Sequence, residues 1–243
     1  MPTNPKTILI TGASSGIGEA TARRLAAQGH ALLLGARRTG RLAALAGELR
    51  AQGASVVHRE LDVTSLESVR CFAAAALEEY GRIDVLVNNA GVMPLSPLAD
   101  LRVDEWERMI DVNLRGVLYG IAAALPVMRR QGGGHIVNVS SVSGHRVDPT
   151  AAVYSATKFA VAALSEGLRQ ESRDARVTVV SPGFTRSELT ERGGSDEARA
   201  AAHAAAELLA IPASAIADAI AFAIDRPADV DVNELVVRPT AQG

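Results

Sequence analysis

A single cysteine, Cys71, excludes an intrachain disulfide. With no second thiol and no metal-ligand spacing around it, Cys71 reads as a small helix residue without chemistry of its own. Excess charge of either sign is also missing. A net charge of −2 supplies no general attraction to DNA or to an acidic membrane surface, although a local basic patch stays open. No apolar run looks long enough to span a bilayer, and Met1–Lys6 leads into a strand-like segment without an apolar signal region. A cytoplasmic protein with neither nucleic acid nor membrane as partner is the resulting expectation. Linkers, repeats and composition breaks are absent as well, so residues 1–243 read as a single domain. What is abundant is hydrophobic residues, at 48%, which argues against disorder and allows a sizeable core.

The apolar residues fall into short runs. Thr7–Ile10, Ala31–Ala36, Ser55–Leu61, Ile83–Val87, Ile136–Val139 and Val177–Val180 read as strands covered on both faces, with a seventh near Glu234–Val237. Helical patterns alternate with them. These include Ile17, Ala20, Thr21 and Leu25 before Gly29, and Leu42, Leu45 and Leu49 within Arg41–Ala51. Thr64-x-x-Glu67 has the spacing of a capping box. Further on, Trp106, Met109, Ile110, Leu114 and Val117 trace one face, and Ile216, Ile220 and Ile224 another. The expected fold is α/β, a three-layer doubly wound parallel sheet (Rossmann fold) of about seven strands with helices on both faces. Its ligand crevice lies at the strand C-terminal ends.

Candidate chemistry sits at those ends. Gly12, Gly16 and Gly18 follow the first strand and open a helix, an arrangement that aims unpaired N–H groups at a phosphate. The spacing G-x-x-x-G-x-G departs from the dinucleotide fingerprint G-x-G-x-x-G. Arg37 and Arg38 end the second strand without a carboxylate beside them. Guanidinium groups there suit a ribose 2′-phosphate, which favours NADP over NAD; two solvated arginines are the plainer reading. Asp62 suits either an adenine amine or a helix N-terminus. Asn88-Asn89-Ala90-Gly91 lets the backbone pass close to a flat ligand or simply turns the chain. Asn113, on an apolar helix face, needs partners and so supports local backbone or holds a water.

Tyr154 and Lys158 are four apart in a helical segment, thirteen residues and more after Ser141 at a strand end. They project from one face, so an ammonium near the phenol could lower its pKa while Ser141 holds a substrate oxygen against it. A surface Tyr–Lys pair is the alternative. Residues 187–210 contain Gly193-Gly194, alternate charge with alanine and carry little aliphatic content until Leu208. They read as a mobile helical lid or as a solvated surface helix.

Thr11–Gly18, Asn88–Gly91, Asn113, Ser141, Tyr154, Lys158 and Pro182-Gly183, in this order and spacing, resemble the short-chain dehydrogenase/reductase family in its single-domain branch, across essentially the whole chain. Val236–Thr240 is similar to a bacterial subgroup that includes clavulanic acid dehydrogenase and 3-hydroxy acid or serine dehydrogenases. The resemblance implies that Tyr154 exchanges a proton with a carbonyl or alcohol while hydride passes to or from a nicotinamide. It implies that Lys158 holds the nicotinamide ribose, that Ser141 donates to the carbonyl oxygen, and that Asn113 retains a water leading from Lys158 to solvent. The implied cofactor set adds Ser14, Ser15, Ile17, Val63, Asn89, Ala90, Gly91, Pro182, Gly183 and Thr185 to the residues named above. Thr185 and Ser187 depart from the residues the family often has there.

The activity expected is therefore that of an NADP(H)-dependent oxidoreductase, with a catalytically silent NADP sensor or scaffold, or a nicotinamide-retaining epimerase or dehydratase, as rivals on the same fold. Val92, Met93, Val142, Ser143, Phe184 and Leu189 are expected to line a mostly apolar substrate pocket. His145 or Arg146 is the candidate for a substrate carboxylate. The resemblance also implies a homo-oligomer, a tetramer or dimer, packed through the helices around the fifth strand.

Overall fold

The computed structural model describes residues 5–242. Met1–Asn4, on which the reading of the N-terminus partly rests, and Gly243 lie outside the described residues. Seven parallel strands form one sheet in the order β3-β2-β1-β4-β5-β6-β7. They are β1 (Thr7–Thr11), β2 (Ala31–Ala36), β3 (Val56–Glu60), β4 (Val85–Asn88), β5 (Gly134–Val139), β6 (Ala175–Pro182) and β7 (Glu234–Val237).

Strand alternation divides the core into two layers. Ile8, Ile10, Leu32 and Leu34 enter one cluster, beneath α1 (Gly16–Ala27), α2 (Thr39–Ala51) and α8 (Ala213–Ile224). Leu9 and Leu33 point the other way, into a cluster shared with α3 (Leu66–Tyr80) and α5 (Gly116–Arg130). Burial on both faces explains why these strands read as continuous apolar runs. As expected, Ile216, Ile220 and Ile224 form the buried stripe of α8, and Leu42, Leu45 and Leu49 that of α2. On α1 the buried stripe is Thr21, Ala22, Leu25 and Ala26, while Ile17 and Ala20 are only half-buried.

Several local expectations need correction. Thr64 does not cap α3. Its backbone N–H and hydroxyl both donate to Asp62, and Ser65 accepts from the Ser68 N–H as the cap. The helix face at Trp106–Val117 is interrupted because α4 (Val103–Ile110) joins α5 through a π-helical stretch, Asp111–Arg115. Ile110 ends α4 on its outward side, and within the wider turn that follows Val112 and Asn113 are buried. Together these segments make one 28-residue helix, Val103–Arg130, long and apolar enough by length and composition to cross a membrane. That corrects the expectation that no run has this length. Its buried side, including Met109, Val112, Val127 and Met128, lies within the protein core.

β1 pairs with β2 on one side and β4 on the other, so the chain reverses its direction of winding there. Loops leaving the strand ends diverge at that point and open a crevice.

Candidate active site

A cavity of about 350 Å³ occupies the crevice at the strand C-terminal ends. Its glycine cradle follows β1. Gly12 and Gly16 have φ of +68° and +56°, a region costly for other residues. A Cβ on Gly18 would meet Asn89 Nδ2 and the Gly12 carbonyl, each at 2.5 Å. The helix N-terminus beyond has no side-chain cap, which leaves its first N–H groups facing the cavity end of α1. Asn89 braces this loop by donating to the carbonyls of Thr11 at 2.8 Å and Gly12 at 3.3 Å. The Thr11 hydroxyl accepts from the N–H groups of Asn89 and Ala90, both at 3.0 Å. An extended nucleotide with a pyrophosphate fits such a cradle, since its glycines carry no side chains and Ser14, Ser15 and Asn89 are already engaged.

The arginines at the end of β2 differ. Arg37 is exposed, whereas Arg38 donates to Ser14 Oγ at 3.1 Å, Ser15 Oγ at 2.6 Å and Glu188 Oε2 at 2.5 Å. Arg41 also pairs with Glu188. Glu188, which sequence reading missed, is held by Arg41 and Arg38 down to about 2. Asp62 lines the cavity, but its carboxylate is engaged by Thr64. Burial pushes its pKa up, and the Thr64 hydrogen bonds and the Arg37 charge outweigh this to leave it lowered.

At the other end lie the residues of β5 and α6 (Ala152–Glu171). Tyr154 and Lys158 share a buried face of α6, with Lys158 Nζ 5.7 Å from the centre of the phenol ring. Ser141 begins a short 3-10 turn, accepts from the Ser143 N–H at 3.1 Å and hydrogen-bonds Tyr154. Lys158 donates to the Val139 carbonyl at 2.9 Å. Burial raises Tyr154 to about 12 against the pull of Ser141, and lowers Lys158 to about 8. The expected lowering of the phenol by the ammonium is therefore reversed in the protein alone. Desolvation penalises both charged forms, and at Tyr154 it exceeds the opposing pull of the Ser141 hydrogen bond. At neutral pH the Tyr154 phenol keeps its proton and Lys158 remains mostly cationic.

Asn113 stands one layer behind. It accepts from the Val92 N–H and donates to the Val92 carbonyl, both at 2.9 Å, and donates to Thr157 Oγ1 at 3.2 Å. The amide thus pins the β4 exit to α6, and it does not itself reach the cavity; neither does Gly18. All other predicted catalytic and cofactor residues line it, including Ile17, Val63, Ala90, Gly91, Pro182, Gly183 and Thr185. Thr185 Oγ1 donates to the Gly183 carbonyl at 3.0 Å. Val92, Met93, Val142, Ser143, Phe184 and Leu189 are also at the cavity, as expected.

His145 and Arg146 are not at the cavity. His145 Nε2 lies 3.2 Å from Ser181 Oγ and 3.0 Å from Glu234 Oε1, and Arg146 faces Asp148 at 3.6 Å. Both are thus engaged beside the cavity, Arg146 with Asp148, which lines it. Arg108 and Arg192 line the mouth instead, brought there from distant segments that gave no local signal. Gln242 was likewise missed. Its side-chain oxygen accepts from the Phe184 N–H at 2.9 Å, in space that a Cβ on Gly183 would fill.

This geometry has counterparts among known proteins. The family model described as short chain dehydrogenase matches residues 6–198. An uncharacterized oxidoreductase of Staphylococcus saprophyticus is 46% identical over 243 residues, covering 98% of this chain and 97% of its own. An alcohol dehydrogenase of the archaeon Thermococcus sibiricus, complexed with 5-hydroxy-NADP, is 36% identical with a TM-score of 0.89 and covers 99% of both chains. A short-chain dehydrogenase/reductase of Burkholderia phymatum in complex with NAD is 28% identical with a TM-score of 0.90, over 97% of this chain and 90% of that one. On the match of fold, cradle and family model together, the chain belongs to the short-chain dehydrogenase family of oxidoreductases.

Proposed function

We propose that the chain is an NADP(H)-dependent reductase or dehydrogenase of a small carbonyl or alcohol substrate, with Tyr154 as general acid and base. The observation that carries this reading is the convergence of Tyr154, Ser141 and Lys158 on the same cavity that holds the glycine cradle and Arg38. When bound, the nicotinamide supplies or accepts the hydride.

The protein's own residues manage the proton. In reduction, Tyr154 gives its phenolic proton to the carbonyl oxygen as the carbonyl carbon gains hydride, forming the C–H and O–H bonds of an alcohol. Ser141 donates a hydrogen bond to the same oxygen and stabilises the charge that develops on it. The Lys158 ammonium stabilises the phenolate left on Tyr154, holds the ribose hydroxyls of the cofactor and returns a proton toward the phenol. Asn113 is a positioning residue, fixing Val92 and Thr157 around this group; retention of a water between Lys158 and solvent is part of the same proposal. Oxidation runs these steps in reverse.

Arg38, braced on Ser14 and Ser15, supports NADP over NAD, because it places a guanidinium at the end of β2, where no carboxylate of β2 stands to take a ribose hydroxyl. One sheet carrying every strand supports reading residues 1–243 as one domain, with the segment near 187–210 as its lid. Ile110, Leu118 and Phe159 are exposed apolar side chains on the helices flanking β5 and support a homo-oligomer, a tetramer or dimer. A free cysteine and a diffusible nicotinamide suit the cytoplasm. The test is a spectrophotometric screen with NADPH and NADH against ketoacids, ketones, aldehydes and quinones. NADPH should be oxidised faster than NADH, and Tyr154→Phe should bind nucleotide yet turn over poorly. Undiminished turnover by Tyr154→Phe overturns the reading, and equal use of both nucleotides overturns its NADP part.

A further inference from the structure

One carboxylate ties the roof of the cavity to its nucleotide end. Glu188 opens the 3-10 turn Glu188–Glu191 and accepts from Arg38 Nη1 at 2.5 Å and from Arg41. Arg38 is held at the same time by the hydroxyls of Ser14 and Ser15, at 3.1 and 2.6 Å. Two guanidinium groups, one of them braced by two hydroxyls, therefore meet a side-chain carboxylate at the cavity wall. A phosphate monoester makes the same demand on a guanidinium as a carboxylate does, two anionic oxygens facing its fork.

Resting on the reading of this cavity as an NADP(H) site, we propose that Glu188 is a cofactor-specificity residue that sits in the seat of the 2′-phosphate, so that a 2′-phosphorylated nucleotide binds by displacing it. Arg38 and Arg41 arrive already neutralised. The net gain from a 2′-phosphate is then the difference between two ion-pair arrangements, and the preference for NADP(H) over NAD(H) is smaller than the arginines alone would give. A ribose hydroxyl carries no charge with which to displace the carboxylate, so NAD(H) binds with the contact intact.

The displacement also reaches the substrate side. Ser187 precedes Glu188 and lies over the cradle, its Cβ 3.1 Å from the position a Cβ on Gly16 would take. Leu189 and Thr190 follow and line the cavity. The far end of the roof cannot follow, because Gly194 N–H is held by the Glu105 carboxylate at 3.1 and 3.2 Å and Ser195 N–H by the Leu95 carbonyl at 2.9 Å. Movement caused by the exchange is confined to residues 187–192, which couples the adenosine end to the substrate mouth.

Titration of the full chain with NADPH and with NADH, followed by nucleotide fluorescence, tests this with Glu188→Gln and Glu188→Ala beside the unmodified protein. Both variants should bind NADPH about tenfold more tightly and leave NADH within about twofold. Tryptic cleavage after Arg192 should be faster in both variants than in the unmodified protein without nucleotide. If the unmodified protein binds NADPH but the variants bind it no better, Glu188 is not in the seat and the NADP reading stands. Tightening of both nucleotides equally makes Glu188 a general barrier to entry and also overturns the proposal. Weaker NADH binding would make Glu188 an acceptor for a ribose hydroxyl and does the same. If the unmodified protein binds neither nucleotide, this proposal and the functional reading fall together.

Discussion

The floor and roof of the cavity are built differently. Tyr154, Lys158, Ser141 and Asn113 are each nine-tenths or more buried, come from α6, the turn after β5 and the π-helical stretch, and share hydrogen bonds with one another or with fixed backbone. Between Ser187 and α7 (Asp196–Leu209) the roof has few buried apolar side chains, and Leu208 is 83% exposed. Its attachments to the body include the Arg38 and Arg41 pairs with Glu188 and the Glu105 hold on Gly194. Burial can perturb pKa values and fix angles but does not yield to a ligand; half-exposed ion pairs do little for stability and can be exchanged. A floor of the first kind suits proton transfer, and a roof of the second kind suits admission and release.

The largest effect expected is at the floor. Tyr154→Phe should lower turnover by about a thousandfold, the usual scale of a positioned acid, with NADPH affinity retained. A comparable loss from any roof substitution would erase the distinction drawn here.

Lys158→Met sharpens the same contrast through pH. Below about pH 8 both folded and unfolded chains carry the Lys158 proton; between about 8 and 10.5 only the unfolded chain does, so folded stability rises with pH across that window. Tyr154 acts in the opposite sense between about 10 and 12, where only the unfolded chain loses its proton. Lys158→Met should therefore exceed the unmodified protein by up to about 3 kcal/mol more at pH 7 than at pH 10, as denaturant unfolding would measure. A gap independent of pH would mean that burial does not set the charge of this lysine.

Gly18→Ala comes next, since its Cβ would lie 2.5 Å from both Asn89 Nδ2 and the Gly12 carbonyl. Overpacking against backbone should cost about 2 kcal/mol in thermal or denaturant unfolding and weaken nucleotide binding. Glu105→Gln is the mildest. Loss of the charged acceptor at Gly194 should cost about 1 kcal/mol or less and speed tryptic cleavage after Arg192, with the pH dependence of turnover unchanged. A shift in that pH dependence would show that roof and floor are electrostatically joined.

Much of this was legible in the chain. Strand runs covered on both faces, the glycines after β1, and the Tyr154–Lys158 spacing depend on neighbours close in sequence, so period and position reveal them. β2 and β7 lie where the pattern puts them, and Tyr154, Lys158 and Ser141 meet at one cavity. The errors occur where distant segments compete for one group. Thr64 had a helix cap's spacing but found Asp62; His145 had a substrate-binding residue's position but found Ser181 and Glu234. Ile110 fitted the helical stripe but stands exposed just before the π-turn that buries Val112 and Asn113.

By itself the sequence determined the alternation of strand and helix, the winding of the sheet and the cluster of residue types at the strand ends, because backbone periodicity and glycine sterics are local. Tertiary structure alone decided the protonation of the floor and the partners of the arginines. Whether Tyr154 is more or less acidic than a free phenol depends on how completely α6 and β5 remove it from water, and whether Arg38 is free depends on a glutamate 150 residues away. Both are properties of the space around a side chain, which exists only once the chain has closed on itself.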